Sequence, residues 1–150
     1  MTDKPYPRPA VSAVIVEQGR VLLIRRGHDP GAGWLTFPGG KVEWGETAEQ
    51  ALIREVLEET GLQVQPLKLL ACSDLLQRDA NGKLLQHFVI LTWNCRRTGG
   101  TLKAGSDAAE TIWLDADQLC NASDMPDNVR TLGLQALGSK MHEEPAKTLP

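Results

Sequence analysis

The sequence predicts one layered domain of the α/β or α+β type. Strand-like segments precede and follow one sharply bounded helix, and a second helix comes near the C-terminal end. The strand segments are rich in β-branched residues and separated by glycine and asparagine turns. A chain of 150 residues is the length of one ordinary domain. Its 41% hydrophobic and 23% charged residues are those of a globular protein.

Taken in order, residues 1–8 are polar and proline-rich and are expected to be flexible. A single domain is expected over 9–137, with 138–150 as a disordered tail. Ala10–Glu17 reads as a strand, Gln18-Gly19 turns the chain, and Val21–Arg26 returns as a hairpin partner. The apolar run in that second strand predicts a central place in the sheet. Arg25 and Arg26 point to opposite faces, so one of them, Arg26 being the candidate, is available to a phosphate. Residues 27–34 (GHDPGAGW) form a glycine-rich loop ending in Trp34. Trp34 can stack on a base or pack in the core, with packing preferred. Leu35–Phe37 and Lys41–Trp44 are short extended pieces.

After the first helix, Pro66–Cys72 and Asp74–Arg78 are extended, Asp79–Gly82 is a hairpin turn signalled by Asn81-Gly82, and Leu84–Cys95 is a long strand. Thr98–Thr101 reads as a turn and Ser106–Thr111 as a polar loop. Ile112–Leu114 is a last strand, followed by a short helix from Asp115 and a longer one over Asp127–Leu137 that Gly133 weakens.

The first helix has the clearest boundaries. Thr47 with Gln50 three residues on is a capping box, and Gly61 occupies the left-handed C-cap position, so the helix runs from about Ala48 to Thr60. At about 100° per residue, Leu52, Ile53, Val56, Leu57 and Thr60 share an arc expected to be buried. Glu58, Glu55 and Glu59 fall at roughly 280°, 340° and 20° and form one patch beside the small Ala48 and Ala51. Like charges this close destabilise a helix by a few tenths of a kcal/mol per pair. A hard divalent cation would remove that penalty. Gly39-Gly40 ahead of the helix lets backbone approach a ligand. Glu46 stands at the helix entrance, and Arg54 can hold either Glu46 or a phosphate in a fork.

Gly40, Glu46, Arg54, Glu55, Val56, Glu58, Glu59, Gly61 and Leu62 keep every spacing of the pattern G-x5-E-x7-R-E-U-x-E-E-x-G-U, in which U is a bulky aliphatic residue. The stretch resembles the signature of the Nudix hydrolases, and Leu35–Gly39 resembles that family's lead-in. The resemblance implies an α/β/α sandwich with a mixed sheet. It also implies an enzyme that cleaves the diphosphate linkage of a nucleoside diphosphate derivative, using Mg²⁺ with Mn²⁺ as a substitute. Glu55, Glu58, Glu59 and the main-chain carbonyl of Gly39 are then the metal ligands, Arg54 orients a glutamate, and Glu46 supports it. The general base is left open between a glutamate of the box and an acid near the C-terminal strands. Glu110 is the first choice outside the box, and Asp107 lies in the same segment. Residues 37–55 resemble the MutT-type triphosphatases, which place a base-reading asparagine where Asn128 stands. Residues 104–108 resemble small enzymes assigned to ADP-ribose. A Nudix-fold binding module without catalysis is a further reading, against which the intact carboxylates argue.

Charge and composition exclude other classes. A net charge of −3 gives no polybasic surface for nucleic acid, so a small anionic nucleotide must be met by local arginines and a metal. No apolar run approaches the roughly 18 residues of a membrane span, and the first residues carry no apolar signal region. Cys72, Cys95 and Cys120 have neither disulfide-framework nor zinc spacing, as expected for reduced thiols in a cytoplasmic protein. A homodimer is one option, since many members of the family are dimers.

Overall fold

The computed structural model describes residues 5–29, 31–105 and 108–138. Among the described residues, seven strands and three helices follow one another as β1 (Arg8–Glu17), β2 (Arg20–Arg26), β3 (Leu35–Thr36), β4 (Gly39–Lys41), α1 (Ala48–Thr60), β5 (Leu62–Arg78), β6 (Leu84–Gly100), β7 (Ala108–Leu114), α2 (Ala116–Asn121) and α3 (Asp127–Gly138). The expected α/β fold with a mixed sheet is what forms. Its strand order is β3-β2-β1-β6-β5, with β4 added on β1 and β7 on β2. The β1–β6 pair is parallel and the others are antiparallel.

The sheet is buried on both faces, and the alternation along its central strands divides the core in two. Val11, Ala13 and Ile15 of β1 join Leu22, Trp93 and the α1 residues Ala51, Leu52 and Val56. Val14 and Val16 face the other way, with Val21, Leu23, Leu119 of α2 and Val129 and Ala136 of α3. This two-sided burial explains the continuous apolar runs of β1 and β2. Gln18 and Gly19 both take positive φ, as a two-residue hairpin between right-twisted strands requires.

Several boundaries move. β5 begins at Leu62 rather than Pro66, because the chain leaves the Gly61 cap directly into pairing with Gly100. Residues 98–100, read as a turn, are the paired end of β6. The polar run before Ile112 is strand from Ala108, because β2 supplies a partner for it. Lys41–Trp44 is not a strand of its own; the paired residues are Gly39–Lys41. Arg8, placed among the flexible residues, already pairs with Phe88. Of the expected 138–150 tail, Gly138 is the last residue of α3, and residues 139–150 lie outside the described residues. Among the described residues, no helix is long and apolar enough to cross a membrane.

The capping box at Thr47 and the left-handed Gly61 cap bound α1 at the expected residues. Its buried face is rotated from the expected arc. Ala51, Leu52, Val56, Glu59 and Thr60 are buried, whereas Ile53 and Leu57 are 40% and 47% exposed. Small Ala51 packs in the core with Leu52 and Val56, so it belongs to the buried face. Leu52→Ala should therefore cost about 2–5 kcal/mol in urea unfolding. Ile53→Ala, one residue along, should cost under about 1 kcal/mol because its side chain is already partly in water. Equal losses would refute this orientation of α1.

Candidate active site

The site is built where α1 meets β4. Gly39 and Gly40 pair with Ser12 and Val11 of β1. A Cβ on Gly39 would stand 2.0 Å from the Val11 carbonyl oxygen, and one on Gly40 would stand 2.4 Å from Cδ of Glu55. Gly39 thus lets β4 close on β1, and Gly40 leaves the volume that the Glu55 carboxylate fills. The Gly39 N–H donates to Glu59 Oε2 at 3.0 Å, and Glu59 is only 7% exposed. Two box carboxylates therefore rest on the Gly39-Gly40 backbone.

Arg54 joins the remaining parts. Its Nε and Nη2 donate to both oxygens of Glu46, at 2.9 and 2.6 Å, so of the two partners open to its fork it takes the carboxylate. Nη1 donates to Glu55 at 2.9 Å and to Glu58 at 3.3 Å, and Nη2 also reaches the Lys41 carbonyl at 3.0 Å. Glu46 in turn accepts from the Glu43 N–H at 2.9 Å, which fixes the loop between β4 and α1.

The two carboxylates that share this guanidinium respond in opposite directions. The hydrogen bonds from Arg54 and then from the Glu43 amide bring the Glu46 pKa from 4.5 to about 2. Glu55 is raised instead, because loss of hydration outweighs the help from Arg54. Among the described residues, Glu46, Glu55 and Glu58 share one guanidinium, so negative charge is in surplus. Oxygen donors in surplus, on a partly dry backbone shelf, fit a hard divalent cation. They are not already gathered as a cage. Among the described residues, no three His, Cys, Asp or Glu side chains stand close enough together to hold a metal ion.

The C-terminal turn of α1 is closed from outside the helix. Lys103 N–H donates to the Thr60 carbonyl at 2.8 Å and Gly105 N–H to that of Glu59 at 3.1 Å. These bonds satisfy carbonyls that the helix leaves unpaired. They also bring the segment leading to β7 beside Glu58 and Glu59.

The other expected residues lie on a different set of contacts. Glu110 is on β7, not in a loop, and its carboxylate accepts from Arg25 Nε at 2.5 Å. Arg25 also donates to the Gly33 carbonyl and to Asp124 Oδ2, both at 2.7 Å. Asp124 is lowered in pKa by that bond. The Leu35 N–H donates to the Asp124 carbonyl at 2.8 Å. The glycine-rich loop, β7 and the α2–α3 connection are therefore tied at one point. Trp34 ends that loop and is 43% exposed, so it is not the core plug preferred from sequence. Arg26 runs its stem past Gly31, and its backbone closes the loop by bonds to Gly33 and Trp34. Asn128 is exposed in the first turn of α3. Asp107 lies outside the described residues. Sequence reading missed the Arg25–Asp124 tie, because partners 99 residues apart leave no local pattern.

The Glu46 shift makes a prediction. Its folded value lies below the unfolded one, so its contribution to stability is complete above about pH 4.5 and is lost as pH falls towards 2. Glu46→Gln should flatten the loss of stability over that interval when urea unfolding is repeated across pH. An unchanged acid limb would contradict the Arg54 pairing.

Comparison with known proteins bears on the same residues. A family model described as the NUDIX domain matches residues 6–132. An ADP-ribose pyrophosphatase of Methanocaldococcus jannaschii is 39% identical over 114 residues, which are 76% of this chain and 65% of the relative. This chain thus spans just under two thirds of that protein's length. An 8-oxo-dGTP diphosphatase of Escherichia coli is 33% identical over 118 residues, 78% of this chain and 85% of the relative. The crystal structure of a MutT NUDIX hydrolase from Burkholderia pseudomallei matches with a TM-score of 0.73 at 31% identity, covering 87% of this chain and 97% of that one. Hydrolases so named act on phosphoric anhydrides, and the family generally uses a divalent metal. With the domain matched across most of its length and the acidic box intact on α1, the chain belongs to the Nudix family.

Proposed function

We propose that this protein is a Mg²⁺-dependent pyrophosphohydrolase, with Mn²⁺ as a substitute, acting on a nucleoside diphosphate derivative. Its products are a nucleoside monophosphate and either a phosphorylated remainder or pyrophosphate. The observation that carries this reading is the seating of Glu55 and Glu59 on the Gly39-Gly40 backbone, with Glu58 joined to Glu55 through Arg54. Glu55, Glu58, Glu59 and the Gly39 carbonyl would hold the metal. A divalent cation there supplies charge neutralisation for the linked phosphates and lowers the pKa of water.

The protein's own groups do the rest. Arg54 keeps Glu46 and Glu55 in register with the helix, a positioning role. The carboxylate that accepts the proton of the attacking water belongs to the α1 patch in this reading, because Glu110 is bound to Arg25. Arg26, Trp34, Asp107 and Asn128 are assigned to the nucleotide. The 39% identity to an ADP-ribose pyrophosphatase supports an ADP-ribose-like substrate. Exposed Trp34 and Asn128, in segments tied at Asp124, support the second reading, a MutT-like hydrolase of oxidised dGTP. A non-catalytic nucleotide-binding regulator is disfavoured by the intact carboxylates. Three free cysteines suit a reducing cytoplasm.

The deciding measurement is phosphate release with Mg²⁺ from ADP-ribose, dGTP, 8-oxo-dGTP and CTP. Turnover of at least one is expected; tight binding of one with turnover of none would sink the enzyme reading. Glu59→Gln should lower kcat by about a hundredfold or more with an unchanged fold. Wild-type rates from that variant would remove Glu59 from the metal site. Trp34→Ala should raise KM at constant Tm; a falling Tm with constant KM would return Trp34 to a packing role.

A further inference from the structure

The outer half of β5 is an edge whose chemistry matches itself. β5 ends the strand order, so among the described residues its far side has no strand partner. Its first half carries the devices that block edge pairing: Pro66, Lys68 and register shifts at Pro66/Lys68 and Leu69/Ala71. From Ala71 to Gln77 the ladder with β6 runs unbroken, with neither proline nor lysine. β1 reaches only as far as the Arg8–Phe88 pair, so beyond it β5 and β6 continue as a two-stranded ribbon. Such ribbons are marginal in water on their own. This one exposes Leu75, Leu76, Leu84 and Leu85, with Leu76 at 49%. Consecutive strand residues point to opposite faces, so Leu75 and Leu76 stand on different sides of the ribbon, and Leu76 shares its side with Asp74 and Arg78.

We propose that the segment from Asp74 to Arg78, the last residues of β5, pairs antiparallel with the same segment of a second copy, about a two-fold axis at Leu76. A two-fold normal to a sheet sets one residue opposite itself, so neighbouring registers can be compared directly. Centred on Leu76, the two leucines meet and Asp74 of each copy stands opposite Arg78 of the other, twice over. Leu75 then faces Gln77, and no like charges oppose one another. Centring on Leu75 sets Asp74 against Leu76, and centring on Gln77 sets Arg78 against Leu76. Only the Leu76 register matches acid to base and leucine to leucine. The present partners of these charges are surface ones, His87 for Asp74 at 3.2 Å and the Gly82 carbonyl for Arg78 at 3.1 Å, which water can replace. Continuing the sheet across the axis also supplies partners for the outward backbone groups of β5.

Sedimentation equilibrium of the full chain tests this, with Tm as a folding control. The wild type should be a dimer. Asp74→Arg and Arg78→Asp should each weaken dimerisation by about tenfold or more, since each sets like charges opposite twice. The double variant Asp74→Arg/Arg78→Asp should restore it. Leu76→Lys, at the axis and half in water, should disperse the dimer at unchanged Tm. A monomeric wild type overturns the proposal. So does a dimer that survives the single reversals, or one that the double reversal fails to recover.

Discussion

How closely α1 approaches the Gly39-Gly40 backbone is the constraint on which the acidic patch depends. A methyl group on either glycine would collide, with the Val11 carbonyl in one case and with the Glu55 carboxylate in the other. Without side chains there, β4 can sit on β1, α1 can sit on β4, and Glu59 can reach the Gly39 amide. The helix also has to present small Ala51 to the sheet for this to happen. One packing decision therefore buries Leu52 and Val56 and draws two glutamates to the same strip of backbone.

Carboxylates drawn together in this way repel, and the structure answers with Arg54. Its guanidinium holds Glu46 in a fork and touches Glu55 and Glu58 from another nitrogen. A lysine could not do this, since it lacks the planar fork that meets two oxygens in parallel. The compensation is incomplete. Glu46 gains enough to be strongly acidic, whereas Glu55 is raised from its ordinary value by loss of hydration. That residual charge imbalance is what suits the patch to a divalent cation of the kind the family generally uses.

A second arginine ties a different set of segments together. Arg25 binds Glu110, Asp124 and the Gly33 carbonyl and so joins β7, the α2–α3 connection and the glycine-rich loop. Arg54 joins the carboxylates of α1 and its entrance loop, whereas Arg25 fixes the segments that carry Trp34 and lead to Asn128.

The sequence by itself determined the α/β class, the capped limits of α1 and the grouping of Glu55, Glu58 and Glu59, because these follow from short-range spacing: cap residues, a helical period and a fixed box. It left Arg54 open between Glu46 and a phosphate, and the structure gives it Glu46. It misjudged which face of α1 is buried, since apolarity alone ranks Ile53 and Leu57 above Ala51 and Glu59. It read residues 98–100 and 108–111 as loop, since polar residues become strand there only when β5 and β2 supply hydrogen bonds from distant chain. The fate of Arg25, the strand placement of Glu110 and the exposure of Trp34 were decided by tertiary structure alone. Contacts between residues 85 and 99 positions apart are fixed by how the sheet closes, and no local pattern encodes that closure.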